Sequence, residues 1–189
     1  MRDRMRLTRL LAILAPTALL LSALTAGATG AAGGGALHAD AQLVDANGQP
    51  VGWARFVEDA TGVVHVNVHV KGLSAGLHGI HIHAIGACAL GTTPTFSSAG
   101  SHHNPLGHVH GLLSDGGPHA GDLPNLTVNG AGIGHLDGTT DEATLSAGLM
   151  SVFDTDGSAL VIHALEDDQV TNPTGNSGAR IACGVIVAG

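Results

Sequence analysis

Past residue 35 the chain alternates apolar and polar positions. Val64, Val66, Val68 and Val70 are separated by His65, Asn67 and His69. This period of two puts the valines on one face of a strand and the polar groups on the other. Residues 36–44 and 51–59 predict two more strands around the turn-forming Asn47-Gly48, and Asp156-Gly157 separates the apolar runs 149–153 and 159–165. Further strands are expected at residues 79–84, 133–136, 144–146 and 181–187. About eight short strands with turns between them predict an all-β domain, a flattened barrel or sandwich. Two segments break the rhythm: residues 86–128, rich in Gly, Pro, His and Asp, and the shorter polar stretch 166–180. Loops of that length inside a compact domain are usually functional.

The amino terminus follows another pattern. Arg2, Arg4, Arg6 and Arg9 precede a short apolar segment from Leu10 to Leu24 and small residues at Ala26-Gly27-Ala28. That order predicts a secretory signal peptide over residues 1–28, with one domain over residues 29–189. A membrane anchor is the alternative, but the apolar stretch is short for a bilayer span. Stable membrane insertion after signal removal is therefore not expected, and the product would be secreted or held in the cell envelope. In such an oxidising compartment Cys88 and Cys183 are best read as one disulfide, closing a loop of about 95 residues. Two free or metal-binding thiols are the competing reading, without any CxxC spacing to support it.

Composition narrows the function. The 189 residues are 44% hydrophobic and 12% charged, which argues against intrinsic disorder, and seven Lys+Arg against 15 Asp+Glu argue against nucleic-acid binding. Beyond residue 28 only Arg55, Lys71 and Arg180 face 14 acidic side chains, a formal charge of −11. The 13 histidines are the anomaly, because a buried imidazole must be hydrogen-bonded or metallated. His81 and His83 stand two apart on a predicted strand, so both rings can reach one ion. His102, His110, His119 and Asp122 follow, with His163 on a late strand. Nitrogen and oxygen donors without a thiolate suit copper and zinc, and seven of them are too many for one tetrahedral site.

At these residues the chain resembles the copper/zinc superoxide dismutases, over nearly all of its length past residue 28. Gly76-Leu-His-Gly-Ile-His-Ile-His83 resembles the family's first copper-ligand signature, and Ser98-Ala-Gly-Ser-His-His-Asn-Pro105 its bridging-histidine segment. His119-Ala-Gly-Asp122 resembles the end of its zinc loop, and Gly175-Asn-Ser-Gly-Ala-Arg-Ile-Ala-Cys-Gly184 its C-terminal signature. The resemblance implies an eight-stranded Greek-key barrel with a long zinc and disulfide loop and a shorter electrostatic loop. It implies one copper per chain on His81, His83, His102 and His163, and one zinc on His102, His110, His119 and Asp122. His102 would bridge the ions. His103 is its neighbour, but the family pattern places the ligand three positions before the proline, Pro105 here.

Cys88 and Cys183 match the family's disulfide. Asp167 sits where the family has a carboxylate linking the two ligand sets, with Asp168 the choice if the loop is shifted by one. His78 lies where a histidine supports the copper strand. The implied activity is disproportionation of superoxide to dioxygen and hydrogen peroxide by redox cycling of copper, with His102 carrying a proton. Arg180 would guide the superoxide anion, and Thr174 would stand at the channel rim. For a chain of formal charge −11 past residue 28, a local positive field at the site mouth is also a physical need. Bacterial-type members differ in interface, so a homodimer stays open.

The chain departs from the family in lacking an acidic residue after His83, in the additional residues Ala89 to Phe96, and in a short segment between His163 and Arg180. Seven histidines lie outside the ligand set. His65 and His69 are expected on the solvent face of a strand, His103 and His108 as exposed loop residues, His38 and His135 at the surface. A second function class is an exported copper- and zinc-binding protein without turnover, which would have no need for Arg180 or a bridging histidine. A purely structural or adhesive sandwich leaves the seven spaced donors unexplained.

Overall fold

A computed structural model describes residues 37–189, all within one compact unit; the signal segment expected at residues 1–28 lies outside the described residues. The strands are β1 (Leu37–Asp45), β2 (Pro50–Glu58), β3 (Val64–Lys71), β4 (Gly76–His78), β5 (Ile80–His83), β6 (Leu126–Val128), β7 (Ile133–Thr140), β8 (Ala159–His163), β9 (Arg180–Val185) and β10 (Val187–Ala188). They form one sheet in the order β4-β6-β7-β3-β2-β1-β9-β8-β5, with β10 on β1. The pairings between these strands are antiparallel. The two ends of this path, β4 and β5, are one run of chain broken at Gly79, so the sheet curls into a nearly closed barrel. β3 pairs with β7 rather than with the strand that follows it, which is the Greek-key crossing. Among the described residues no helix is long and apolar enough to cross a membrane.

The period of two is what fills the barrel. Val64, Val66, Val68 and Val70 are buried with Leu43, Phe56, Ile80, Ile82, Leu160 and Ile162, while His65 and His69 face solvent. Each buried Val, Leu, Ile or Phe contributes roughly 1.5–3 kcal/mol relative to exposure. A smaller cluster of Phe96, Ala99, Ala159, Val161 and Cys183 lies under the long loop, beside Cys88.

The eight strands that the family resemblance implies are present as ten segments among the described residues, because one run is split at Gly79 into β4 and β5 and another at Ile186 into β9 and β10. Two expectations are corrected. Residues 126–128, expected in the long loop, form β6 against β4 and β7. Residues 144–146 and 149–153 are not strands; only an isolated bridge joins Thr144 to Ser151. Among the described residues the apolar run there has no partner strand, and Leu149 and Phe153 are exposed.

That segment is tied to the barrel by Glu58. The backbone N–H groups of Leu145 and Ser146 donate to Glu58 Oε2 at 2.5 and 2.7 Å, and Ser146 Oγ–H donates to Oε1 at 2.7 Å. Burial raises the Glu58 pKa, but the three hydrogen bonds outweigh it and the net shift is downward. Glu58→Gln, which turns a donor toward these donors, is expected to lower stability by about 2 kcal/mol in urea unfolding. A carboxylate with a depressed folded pKa stabilises above its unfolded value and loses that contribution as pH falls through the folded one. The difference between wild type and variant should therefore narrow below about pH 4.5, its ordinary value.

Candidate metal centre

β5 lies at the end of the sheet path, so among the described residues its outer edge has no strand partner, and the long loop lies along it. Backbone bridges join His81 to Asp122 and His83 to His102. Ile82 donates to the Gly121 carbonyl and His103 to that of Ile82, at 2.8 and 2.9 Å. The alternation of β5 and these rungs bring His81, His83 and His102 together, and His163 arrives on β8, paired with β5.

One ligand atom from each of His81, His83, His102 and His163 lies within 4.8 Å of the others, and all four residues are buried. Among the described residues the buried side-chain polar atoms without a hydrogen-bond partner are His81 Nδ1, His83 Nε2, His102 Nε2, His163 Nε2 and Ser158 Oγ. Four orphaned imidazole nitrogens in one cluster are hard to sustain unless something else fills their lone pairs. The opposite ring nitrogens are engaged. His83 Nδ1 donates to the Gly100 carbonyl at 3.0 Å and His163 Nδ1 to that of Gly178 at 3.1 Å. His81 Nε2 lies 2.5 Å from Asp167 Oδ2. Such contacts fix ring orientation and leave the other nitrogen as the donor. Burial drives the pKa of His81 down to about 3 and that of His163 to about 4, so both rings are neutral and available as ligands.

A second group adjoins the first. Asp122 Oδ1 is 3.0 Å from His102 Nδ1, 3.0 Å from His110 Nδ1 and 3.4 Å from His119 Nδ1. His119 Nδ1 is in turn 3.3 Å from His102 Nδ1. Three nitrogens and one carboxylate oxygen thus converge, and His102 presents one ring nitrogen to each group. His81 also reaches the second group, but its Nε2 is held by Asp167 and its free Nδ1 belongs with the first. Burial alone would lower the His110 pKa, yet Asp122 and Asp167 raise it to about 9. This position favours a cation, whether proton or metal. The donor sets fit two ions of the copper and zinc type, the first all-imidazole and the second imidazole with one carboxylate.

Asp167 joins the groups, since its Oδ1 accepts from His110 Nε2 at 3.1 Å while Oδ2 meets His81. Its backbone is clamped by Asn125, whose Nδ2 donates to the Asp167 carbonyl and whose Oδ1 accepts its N–H. Gly175, at φ +61°, passes so close that a Cβ would overlap the Asp167 carboxylate. Asp168 is the exposed neighbour, capping Val170 and Thr171 instead. His78, buried, donates from Nδ1 to the carbonyl of His163 at 2.7 Å and so steadies the end of β8.

An open cleft of about 700 Å³ leads to His83, His102 and His163, and Arg180 and Thr174 line it. Arg180 Nη1 donates to the Phe96 carbonyl and Nη2 to that of Gly100, at 2.7 and 2.6 Å. These carbonyls carry no net charge, so the guanidinium keeps its positive field in the cleft. Its anchor Phe96 lies at the end of the additional segment, and a carbonyl partner leaves no side-chain signal in a sequence. Asn125 was likewise not foreseen. His103, expected to be exposed, is buried: its Nε2 is 3.4 Å from the Met150 carbonyl and burial lowers its pKa. The loop folds over it because its backbone is a rung on β5. His108 remains exposed.

Residues 51–186 match the family model for copper/zinc superoxide dismutase. The chain belongs to that family. Among copper/zinc superoxide dismutases, "Superoxide dismutase (Cu-Zn) 2" of Aquifex aeolicus is 42% identical over 152 residues, covering 79% of this chain and 86% of the relative. "Superoxide dismutase-like protein YojM" of Bacillus subtilis is 38% identical over 148 residues, covering 77% and 74%. The crystal structure of a superoxide dismutase-like protein from Bacillus subtilis superposes with a TM-score of 0.70 at 38% identity, covering 78% of this chain and 97% of that one.

Proposed function

We propose that the protein is an exported superoxide dismutase that disproportionates superoxide to dioxygen and hydrogen peroxide. Family membership makes it an oxidoreductase acting on superoxide. Copper would be held by His81 Nδ1 and by Nε2 of His83, His102 and His163, and zinc by Nδ1 of His102, His110 and His119 with Oδ1 of Asp122. The observation that carries this reading is the cluster of four buried nitrogens without a hydrogen-bond partner, at the foot of a cleft lined by a guanidinium. The disulfide between Cys88 and Cys183 supports export to an oxidising compartment.

When bound, copper supplies one-electron exchange with superoxide, and zinc supplies a fixed charge that orders the loop. The chain's own residues do the rest. Arg180 draws a small anion into the cleft against the formal charge of −11 on the residues past 28 and orients it by hydrogen bonds. When its lone pair is not engaged by copper, His102 Nε2 would hold a proton taken from solvent for the departing product, and Asp167 holds the His81 and His110 rings in place. Thr174 narrows the rim of the cleft.

The test is metal content measured together with superoxide consumption. About one copper and one zinc per chain with rapid dismutation is expected; the same metals with no dismutation would favour an exported metal-binding protein. Arg180→Ala should lower the superoxide rate constant by about tenfold or more and flatten its salt dependence, with metal content unchanged.

A further inference from the structure

Three rings stand in cross-strand register on the solvent face of β2, β3 and β7. Trp53 pairs with His69, and His69 with His135. The Trp53 and His69 centroids are 4.6 Å apart, those of His69 and His135 4.4 Å, and all three residues are exposed. None of them belongs to the metal centre.

The two imidazoles differ in how they are held. His135 Nδ1 lies 3.1 Å from the Val68 carbonyl oxygen. Donation of its N–H there fixes the tautomer and leaves Nε2 with a free lone pair, the arrangement metal-binding histidines commonly show. The His69 ring is packed between the other two rings and has no hydrogen-bond partner among the described residues, so its nitrogens are also free. Two nitrogens about 2 Å from a shared ion stand roughly 3 Å apart, a spacing that neighbouring imidazoles with centroids 4.4 Å apart can meet. At the next outward positions Asp137 on β7 opposes Lys71 on β3 in sign, and Arg55 on β2 is ion-paired with Asp40, so attraction for a cation comes from the whole acidic molecule.

We infer that His69 and His135 form an additional, surface site for a divalent first-row transition-metal ion. Imidazole ligands and the affinity order of these ions make copper(II) the tightest occupant, with water completing its coordination. The site lies apart from the buried centre and stands whether or not that centre turns over superoxide.

Trp53 makes the site directly observable. It is the one tryptophan of the chain, which has no tyrosine, so intrinsic emission reports on the ring packed against His69. The holoprotein, with copper and zinc already bound, is titrated with copper(II) sulfate. Emission should fall and saturate at one added equivalent, and equilibrium dialysis should count one extra copper. His69→Gln and His135→Gln should each raise the quenching midpoint about tenfold or more. His65→Gln, at an exposed position on the same strand, should leave it unchanged. A midpoint unaltered in either His69→Gln or His135→Gln, or quenching that grows past one equivalent without saturating, overturns the site. The variants alter exposed side chains, and unchanged thermal midpoints verify that the fold is intact.

Discussion

His163→Ala, purified with saturating copper and zinc, should lose superoxide dismutation by about 100-fold or more while keeping its zinc content. The asymmetry follows from where His163 stands. Its Nε2 is one of the four orphaned nitrogens, whereas the second group contains no atom of His163 and meets the first at His81 and His102. Loss of a residue that merely orients a ligand typically costs 10–100-fold in metal affinity or activity, and loss of the ligand itself costs at least that. The backbone should hold, because the carbonyl that accepts from His78 and the N–H that donates to the Gly79 carbonyl are retained in alanine. Zinc analysis, copper analysis and a superoxide-decay assay on one preparation check the prediction. Normal decay rates in the copper-loaded variant would remove His163 from the site.

The double variant Cys88→Ser/Cys183→Ser should lose about 4–5 kcal/mol of stability on the chain-entropy account of loop closure. The bridge spans 95 positions with Cα atoms 5.7 Å apart and fastens the long loop to β9. It should also impair the cleft. Cys183 packs with Phe96 and Ala99 in the small cluster, and the Phe96 and Gly100 carbonyls are what hold the Arg180 guanidinium. Loosening this loop therefore frees the Arg180 cation positioned over the site. Denaturant unfolding reads the first effect and the salt dependence of the superoxide rate the second. A loss below about 1 kcal/mol would mean that the loop is held by packing alone.

Strands that bury one face were legible in the sequence because their period is two. β1, β2, β3, β7, β8 and β9 all fall where alternation or an apolar run predicts them. β4 and β6 have three residues each, too few for a period to register. Residues 149–153 failed for the opposite reason: an apolar run without a neighbouring edge does not become a strand. The donor side chains were legible because His and Asp are rare enough in motif spacing to stand out, and the fold gathers them into two adjoining groups. What one sequence could not show is the backbone that orients them. The carbonyls of Phe96, Gly100 and Gly178 and the clamp from Asn125 depend on how the loops close.

The position of the loop against β5 carries one more consequence. Among the described strands, β5 has β8 on one side and only loop residues on the other. The donors of both groups straddle that seam, so a bound ion would act as a clasp on the barrel. An unclasped loop would bare the Ile80–His83 backbone as a sticky edge, open to pairing with another molecule. Bound ions would then add to the backbone rungs and the Cys88–Cys183 bridge in keeping that edge covered.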